Sequence, residues 1–240
     1  MNKLAPPSPK VAVITPYYNE DIELLAKCHN SVLEQTLPCL HVLVADGKAR
    51  PAIDQWNAHH IKLPVSHNDI GSTPRLIGSY HAIGLGVDAV TFLDADNWYE
   101  PDHLVALMSA RLAFGAAFVS SGRMLCQLDG SPMGPCPLTN PDSFIDTNCM
   151  LFGCEAFSLL HHWVLMPSYG HLIGDRIMLH HVKESGVQRY HVPNPTVNYR
   201  SGKSGLYSLM NFPVPDGVQS RPDYEASFQR WIDDGNPRLN

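Results

Sequence analysis

The chain has 240 residues, and 44% of them are hydrophobic, a size and composition that suit one sizeable core. Lys and Arg total 17 against 23 Asp and Glu, for a formal net charge of -6, which argues against a broad nucleic-acid-binding surface. No stretch approaches the ~20 apolar residues of a membrane-spanning helix, and the first residues lack the apolar core of a signal peptide. We therefore expect no nucleic-acid partner and no transmembrane segment. The expected location is the cytoplasm, with a peripheral position at the inner face of the membrane left open.

The cysteines and histidines form no recognisable disulfide or zinc motif. The six cysteines are scattered without a CxxC pair, so we expect reduced thiols. The 13 histidines include adjacent pairs at 59–60, 161–162 and 180–181, but adjacent side chains diverge on a helix or strand, and no HExxH segment occurs. A zinc site is therefore not expected.

The first half of the chain alternates between strand and helix patterns. Apolar runs predict strands at residues 10–15, 40–45, 63–65 and 89–93, and amphipathic stretches predict helices at 21–35, 52–58, 74–84 and 101–114. The helix that Pro74 opens is predicted to bury Leu76, Ile77, Tyr80 and Ile83. The helix at 101–114 is predicted to bury Leu104, Leu107, Met108 and Leu112. Strand–helix–strand units of this length predict parallel pairing.

The second half is less regular. Strands are predicted at 117–121, 148–152 and 188–192, helical segments at 155–162 and 174–184, and loops at 128–137 and 193–205. The tail from residue 212 predicts one short amphipathic helix that contains Phe228 and Trp231. The expected fold class is α/β, with a lead at 1–9, a single Rossmann-like domain at 10–210 and a tail at 211–240. Its central sheet is expected to be mostly parallel and flanked by helices.

Two carboxylates, Asp94 and Asp96, follow the strand predicted at 89–93. Alternate residues of an extended chain point the same way, so both can bind one hard divalent cation together with oxygens from outside the protein, such as those of a diphosphate. The alternative is that one of them caps the next helix and the other is a solvated loop residue. The pattern alone leaves both interpretations open.

Four segments occur in order along the first half: residues 13–20 after the first strand, 45–47 after the second, 73–75 at a helix start, and 94–102. Together they resemble the family 2 glycosyltransferases of the GT-A fold, and 94–102 is especially similar to the spore-coat members of that family. The resemblance spans residues 10–205 and becomes thin after residue 130. It implies a GT-A domain with a nucleotide-binding half at 10–115 and an acceptor half at 116–210.

The resemblance also implies which residues bind the nucleotide. The ring of Tyr18 can stack on a nucleobase, Asp46 can accept a hydrogen bond from a uracil N–H, and Arg75 can reach the base or the diphosphate. The alternatives are a core aromatic, a turn residue and a surface charge in a first helical turn. Arg200 and Lys203 are expected to clamp the diphosphate, unless they are solvated loop charges. The full set is Pro16, Tyr18, Glu20, Asp46, Arg75, Asp94, Ala95, Arg200 and Lys203.

The expected cofactor is Mn²⁺ or Mg²⁺, bound by Asp94 and Asp96. Two positions depart from the family pattern. Many relatives carry an aspartate where this chain has Ala45, which leaves the nucleotide selectivity open, and many carry a histidine near the position of Ser201. His191 is the candidate substitute as a metal ligand, the alternative being a structural histidine at a strand end.

Inverting sugar transfer needs a general base beside the acceptor hydroxyl. Asp175, in a Gly-Asp-Arg segment ahead of a predicted helix, matches the catalytic aspartate of the family. The alternative is that it only caps that helix through the amides of Met178 and Leu179. Asp146 and Asn148 are further candidates for facing the acceptor.

The resulting hypothesis is a metal-dependent, inverting hexosyltransferase-type enzyme of polysaccharide biosynthesis. It would move a sugar from a nucleotide-diphosphate donor, expected to be a UDP-sugar, to a hydroxyl of a glycan or other acceptor. A sugar-phosphate nucleotidyltransferase is the alternative enzyme class, and it needs a glycine-rich loop after its first strand. Residues 15–20 contain no glycine, which argues against this alternative. A non-catalytic carbohydrate- or partner-binding module stays open, because a fold does not by itself establish turnover. The sequence names neither the sugar, the acceptor nor the oligomeric state.

Overall fold

The computed structural model describes residues 10–220 and 222–239, so the predicted lead at 1–9 lies outside the described part of the chain. The strands of the described residues are β1 (Val11–Tyr17), β2 (Cys39–Asp46), β3 (His59–Leu63), β4 (Ala89–Phe92), β5 (Trp98–Tyr99), β6 (Phe118–Cys126), β7 (Pro132–Pro135), β8 (Met150–Gly153) and β9 (Arg189–Arg200). The α-helices are α1 (Ile22–Leu33), α2 (Ser72–Gly84), α3 (His103–Phe114), α4 (His162–Leu165), α5 (Gly174–Glu184), α6 (Ser204–Leu209) and α7 (Tyr224–Asp233).

All of these strands join one sheet. Its order is β3-β2-β1-β4-β8-β6-β9-β5, with β7 paired to β6. β1 is parallel to β2 and β4, β3 is parallel to β2, and β9 is parallel to β6, whereas the pairings of β5, β7 and β8 are antiparallel. The longest pairings are parallel, and the predicted α/β class with a mostly parallel central sheet flanked by helices is confirmed.

The parallel register brings three strand ends to one edge of the sheet. β1 lies between β2 and β4 and runs in the same direction as both. The residues at or just beyond their carboxyl ends, Asp46 and Asp94 among them, therefore converge at this edge, which is where open parallel sheets bind ligands.

Helix α2 packs on β1 and β2 through a face that is shifted from the predicted one, with Leu76 and Ile83 of the predicted face only partly buried against the core. Its buried residues are Ser72, Pro74, Arg75, Gly78, Ser79 and Ala82, whereas Tyr80 is 50% exposed. The cause is a close approach of helix and sheet at Gly78, where an added Cβ would lie 2.5 Å from Ile14 Cγ2 and 2.9 Å from Val44 Cγ2. Small side chains fit this gap, so the larger apolar residues of the helix lie at its margins. The helix also begins at Ser72, before Pro74.

Strand β9 is the largest departure from the sequence prediction. The loop predicted at 193–205 is wrong for residues 193–200, which continue β9 as far as Arg200 beside β6. Its prolines are accommodated because the β6–β9 register shifts on both sides of Gly122. An added Cβ at Gly122 would lie 2.7 Å from the carbonyl oxygen of Pro193, so this close pairing requires glycine.

Several smaller predictions also need correction. The strand expected at 63–65 is β3, which ends at Leu63, and the strand expected at 148–152 begins at residue 150, after a 3-10 helix at Thr147–Cys149. The helices expected at 52–58 and 155–162 are the 3-10 helices Pro51–Gln55 and Cys154–His161, the latter running into α4. The loop expected at 128–137 contains β7, and β5 was not predicted. In α3, Leu112 is 70% exposed, because apolar residues surround most of this helix and only one side faces the sheet.

The C-terminal tail packs against the rest of the chain. Helix α7 is the predicted amphipathic helix, and Trp231 on it is 4% exposed and joins the main core. Its ring meets the His180 ring of α5 edge-on at 6.3 Å. The six cysteines are free thiols. Over residues 10–220 and 222–239, no helix has both the length and the apolar character that a membrane crossing requires.

Candidate functional site

A cleft of about 490 Å³ opens at the carboxyl edge of β1, β2 and β4, within the range of small-ligand sites, about 300–1,000 Å³. Asp96 lines this cleft, and so does every predicted nucleotide-binding residue except Arg200. Those lining residues are Pro16, Tyr18, Glu20, Asp46, Arg75, Asp94, Ala95 and Lys203. We call this space the donor cleft, after the residues lining it that were predicted to bind a nucleotide donor.

Asp46, at the end of β2, is held in a fixed orientation. Its Oδ1 accepts a hydrogen bond from His67 Nδ1 at 2.6 Å, and its Oδ2 accepts from the His67 backbone amide at 3.1 Å and from Ser66 Oγ at 3.2 Å. Asp46 is 6% exposed, so it is a constrained acceptor and not a solvated turn residue. Sequence reasoning missed Ser66 and His67, because they lie in an irregular segment between β3 and α2.

Tyr18 and Glu20 shape one wall of the donor cleft. The ring of Tyr18 is 42% exposed, with the Lys48 ammonium 4.5 Å from its centroid, so it is a surface ring and not a core aromatic. Glu20 accepts hydrogen bonds from the backbone amides of Tyr18 at 2.7 Å and Asn19 at 3.0 Å. Glu20 therefore fixes the turn that presents the Tyr18 ring.

Arg75 is a buried, ion-paired side chain and not a surface charge. It is 6% exposed, its Nη2 donates to Asp94 Oδ1 at 2.5 Å, and its Nη1 donates to the carbonyl oxygen of Ile70 at 2.8 Å. The turn that leads into α2 has left-handed backbone at Ile70 (φ 55°) and Gly71 (φ 81°). An added Cβ at Gly71 would lie 3.2 Å from Arg75 Nη1, so glycine leaves room for the guanidinium.

The Asp94–Asp96 pair fits a hard divalent cation that receives its other oxygens from a ligand. No Lys, Arg or His of the described residues lies in ion-pair contact with Asp96, and burial, together with the charge of Asp94, raises its pKa to about 7. A bound cation would compensate that buried charge. Within residues 10–220 and 222–239, no three His, Cys, Asp or Glu side chains are arranged to hold a metal ion. The described residues would therefore supply at most two ligands here.

His191 and Arg200 lie outside the donor cleft. The Nδ1 of His191 is 2.9 Å from Ser120 Oγ, inside the β6–β9 pairing, so the structure does not bring His191 together with Asp94 and Asp96. Arg200 donates from Nε to the carbonyl oxygen of Leu128 at 2.8 Å. Its charge still acts on Asp96, whose pKa it lowers against the larger effects of burial and Asp94.

A second cavity of about 350 Å³ adjoins the donor cleft, and Lys203 lines both. Its polar wall contains Asp146, Asp175 and Arg123, and its apolar wall comes partly from α6 and α7 of the C-terminal region. We call this space the second cavity. Two of the three residues predicted to act on the acceptor, Asp146 and Asp175, are thus brought together in one cavity.

Asp175 is the second residue of α5, not its N-cap, which is Ile173. Its Oδ1 accepts from the backbone amide of Arg176 at 2.7 Å, and the alternative of a cap on Met178 and Leu179 does not match this geometry. Burial and the charge of Asp146 raise the pKa of Asp175 to about 6. A carboxylate with this pKa is largely ionised at neutral pH and still basic enough to accept a proton.

Asn148 does not line the second cavity. It is 0% exposed and lies between Asp94 and Asp146, with hydrogen bonds to both carboxylates, which corrects its predicted place facing an acceptor. Asp146 also forms an ion pair with Arg123, a residue that sequence reasoning missed. The signal for Arg123 was present: an arginine inside the apolar strand β6 needs a buried carboxylate partner.

A model of the family described as glycosyl transferase family 2 matches residues 12–164, well over half of the chain. The chain belongs to glycosyl transferase family 2. Its fold is similar to the crystal structure of S. aureus TarS, with a TM-score of 0.60 and 13% identity over 80% of this chain and 36% of that chain. A comparison with curated protein sequences found no match.

This family 2 chain is also similar to two structures of residues 1–349 of S. aureus TarS. The structure in complex with UDP gives a TM-score of 0.53 at 12% identity, and the structure without UDP in its description gives 0.54 at 14% identity. Each comparison covers 80% of this chain and 60% of the other. At such identities the likeness shows the fold alone, and this chain spans between about a third and three fifths of the proteins compared.

Proposed function

We propose that this chain is an inverting glycosyltransferase that uses Mn²⁺ or Mg²⁺ and moves a sugar from a UDP-sugar to a hydroxyl of a glycan acceptor. The observation that carries the proposal is the pair of adjoining cavities that share Lys203. One holds the Asp94–Asp96 pair and the other holds Asp175. Membership of glycosyl transferase family 2 supports the reaction class.

The donor cleft supports a nucleotide with a diphosphate. The exposed ring of Tyr18 offers a stacking face to a base, and Asp46 offers an oriented carboxylate to a base N–H. The Lys203 ammonium, at the junction of the two cavities, suits the diphosphate that leaves when the sugar is transferred. A UDP-bound structure of TarS with the same fold supports uridine as the first nucleotide to test.

Asp94 and Asp96 are the residues that would hold Mn²⁺ or Mg²⁺, which would neutralise diphosphate charge and so stabilise the departing nucleotide. Arg75 pairs with Asp94 Oδ1 at 2.5 Å, which leaves Asp96 as the carboxylate without an ion-pair partner among the described residues. Asp96 is therefore the ligand on which cation binding depends most.

Asp175 suits the role of general base. It would accept the proton of the acceptor hydroxyl while that oxygen forms a bond to the anomeric carbon. The bond from the anomeric carbon to the diphosphate oxygen breaks on the opposite face, and UDP leaves with the bonding electrons. Attack opposite the leaving group inverts the anomeric configuration, so no covalent sugar–enzyme intermediate is needed.

A panel of nucleotide sugars, incubated with the protein, Mn²⁺ and candidate glycans, tests this function. We expect release of UDP from one donor, stimulated by one class of acceptor and abolished in Asp175→Asn. Release of pyrophosphate would indicate a nucleotidyltransferase instead. Binding of nucleotide without turnover of any donor would indicate a non-catalytic module.

A further inference from the structure

Five side chains form a continuous bridge between the donor cleft and the second cavity. Arg75 donates to Asp94 Oδ1 at 2.5 Å, and Asn148 Nδ2 donates to Asp94 Oδ2 at 3.0 Å and to Asp146 Oδ1 at 2.7 Å. Arg123 Nη1 donates to Asp146 Oδ2. We call this Arg–Asp–Asn–Asp–Arg series the Asn148 bridge.

The amide of Asn148 has one arrangement available. Its Nδ2 faces two carboxylates, which accept when ionised, and its Oδ1 accepts from the backbone amide of Asp94 at 2.5 Å. Each polar atom of the Asn148 side chain thus has a hydrogen-bond partner. Asn148 is 0% exposed, Arg123 4% and Arg75 6%, and at this depth a broken hydrogen bond cannot be replaced cheaply by water.

The two carboxylates of the bridge, Asp146 and Asp94, differ in how firmly they are held. On the side of the second cavity, Asp146 also caps the 3-10 helix Thr147–Cys149 and accepts from the Asn148 backbone amide at 3.0 Å, so backbone and side chain fix it together. On the donor side, Asp94 is 32% exposed and lines the cleft. A ligand in the donor cleft that uses Asp94 therefore acts on a carboxylate already shared with Asn148.

We propose that Asn148 is a positioning residue that couples occupancy of the donor cleft to the arrangement of the second cavity, an inference that rests on the proposed function. A diphosphate nucleotide that engages Asp94 changes the hydrogen bonds of Asp94 with Asn148. Asn148 passes that change to Asp146, which lies beside Asp175 in the second cavity. Binding linkage is reciprocal, so a change at Asp146 alters nucleotide affinity although Asp146 does not line the donor cleft.

A double-mutant cycle with UDP as the probe tests the coupling. UDP affinity is measured by calorimetry in MnCl₂ for the wild type, Asp146→Asn, Asn148→Ala and the double variant. We expect Asp146→Asn to weaken UDP binding about fivefold or more in the wild type, because it loosens Asn148 and hence Asp94. In the Asn148→Ala background, Asp146→Asn is expected to have no further effect.

Asn198→Ala is the matched control background. Asn198 is also buried and donates from Nδ2 to a carboxylate, Glu100 Oε1 at 2.7 Å, but it lines neither cavity. In this background the full effect of Asp146→Asn on UDP affinity should remain. A general loss of stability would not make the effect of Asp146→Asn depend on Asn148. Thermal unfolding of each variant distinguishes such a loss of stability from a loss of coupling.

Two results would overturn the coupling: an unchanged UDP affinity in Asp146→Asn, or the same loss in all three backgrounds. A wild type that does not bind UDP in MnCl₂ would contradict the proposed function itself. Asp146→Asn leaves the buried Arg123 without its carboxylate, and if that variant does not fold, the pair Arg123→Met/Asp146→Asn removes both charges and carries the same expectation.

Discussion

Two carboxylates in the adjoining cavities are harder to ionise than ordinary aspartates, and their neighbours differ. The pKa of Asp96 is raised to about 7 by burial and by Asp94. The pKa of Asp175 is raised to about 6 by burial and by Asp146, against the lowering charge of Arg176. Asp96 and Asp94 line one cleft, which suits a cation shared by two carboxylates, whereas Asp175 lies at the wall of a half-apolar cavity beside an Asp146 already paired with Arg123, which suits proton transfer.

Replacing Asp175 by asparagine should stop transfer, leave UDP affinity intact and not lower stability. General-base removal typically costs about a hundredfold to ten-thousandfold in rate. The folded-state pKa of Asp175 lies above the ordinary value of 3.8, so its ionisation opposes folding, fully so above pH 6 and not at all well below pH 4. Asparagine removes that cost and keeps an oxygen for the Arg176 amide. Wild-type turnover in Asp175→Asn would show that the base lies elsewhere.

The pH profile of transfer should show the same carboxylate. A base with a pKa of about 6 is protonated and inactive at lower pH, so kcat/KM should rise about tenfold per unit below pH 6 and level off above it. Asp146 raises the pKa of Asp175, so Asp146→Asn should move this limb to lower pH. Initial rates between pH 4.5 and 8 would measure both, and a flat wild-type profile would argue against Asp175 as the base.

The sequence predicts which residues belong to the site better than it predicts the burial and contacts of those residues. The acidic pair and Asp175 were recognisable from local pattern and family resemblance, because each lies next to a regular element. The burial of Arg75 could not be predicted, because it depends on Asp94, a partner 19 residues away. The position of Asn148 between two carboxylates depends likewise on contacts across 54 residues.

Helix α2 shows how packing overrides an amphipathic pattern. The helix approaches β1 and β2 through Gly78, and this close approach sets where Arg75, one turn earlier, enters the donor cleft. Hydrophobic periodicity identified a helix here but misplaced the centre of its buried face, because periodicity measures apolar content and not the distance between helix and sheet. The end of β9 was missed for a similar reason, since its prolines are accommodated by register shifts on both sides of Gly122 in the neighbouring strand.

Gly78→Ala should destabilise the protein and weaken UDP binding together. Its Cβ would lie 2.5 Å from Ile14 Cγ2, and overpacking of this kind typically costs about 1–3 kcal/mol. Gly84→Ala in the same helix is the matched control, because its Cβ would meet nothing within 4 Å, and alanine favours the helix. Urea unfolding measures the free energy of unfolding of both variants. Equal stability of Gly78→Ala and the wild type would contradict the close packing of α2.

The second cavity is completed by the C-terminal region, which packs back on the rest of the chain. Phe228 of α7 lines it, and the guanidinium of Arg176 lies 5.3 Å from the Phe228 ring and 4.6 Å from the Phe144 ring. The sequence predicted the helix that carries Phe228 and Trp231. It could not predict that this helix forms a wall of the cavity, because that depends on packing against α5 and the preceding 3-10 helix Ser168–Ile173.

Phe228→Ala should therefore impair use of the acceptor without affecting UDP. We expect the KM for the acceptor to rise several-fold, in line with the loss of about 0.5–1.5 kcal/mol from an aromatic contact, with UDP affinity unchanged. Phe114→Ala is the control: Phe114 stacks on Tyr190 at 3.9 Å and lines neither cavity. Steady-state kinetics with varied acceptor give the comparison. An equal KM for the acceptor in the two variants would show that α7 does not contribute to acceptor binding.

Calorimetric titration of UDP with and without MnCl₂ tests most directly whether the Asp94–Asp96 pair at the sheet edge is a metal-assisted site for a nucleoside diphosphate. We expect Mn²⁺ to tighten UDP binding by at least about tenfold, or 1.4 kcal/mol, in the wild type and in the control Asp216→Ala, which alters an exposed aspartate of the tail. In Asp96→Ala this gain should disappear. Equal UDP affinity of the wild type with and without Mn²⁺ would show that no metal-assisted nucleotide site lies at the Asp94–Asp96 pair.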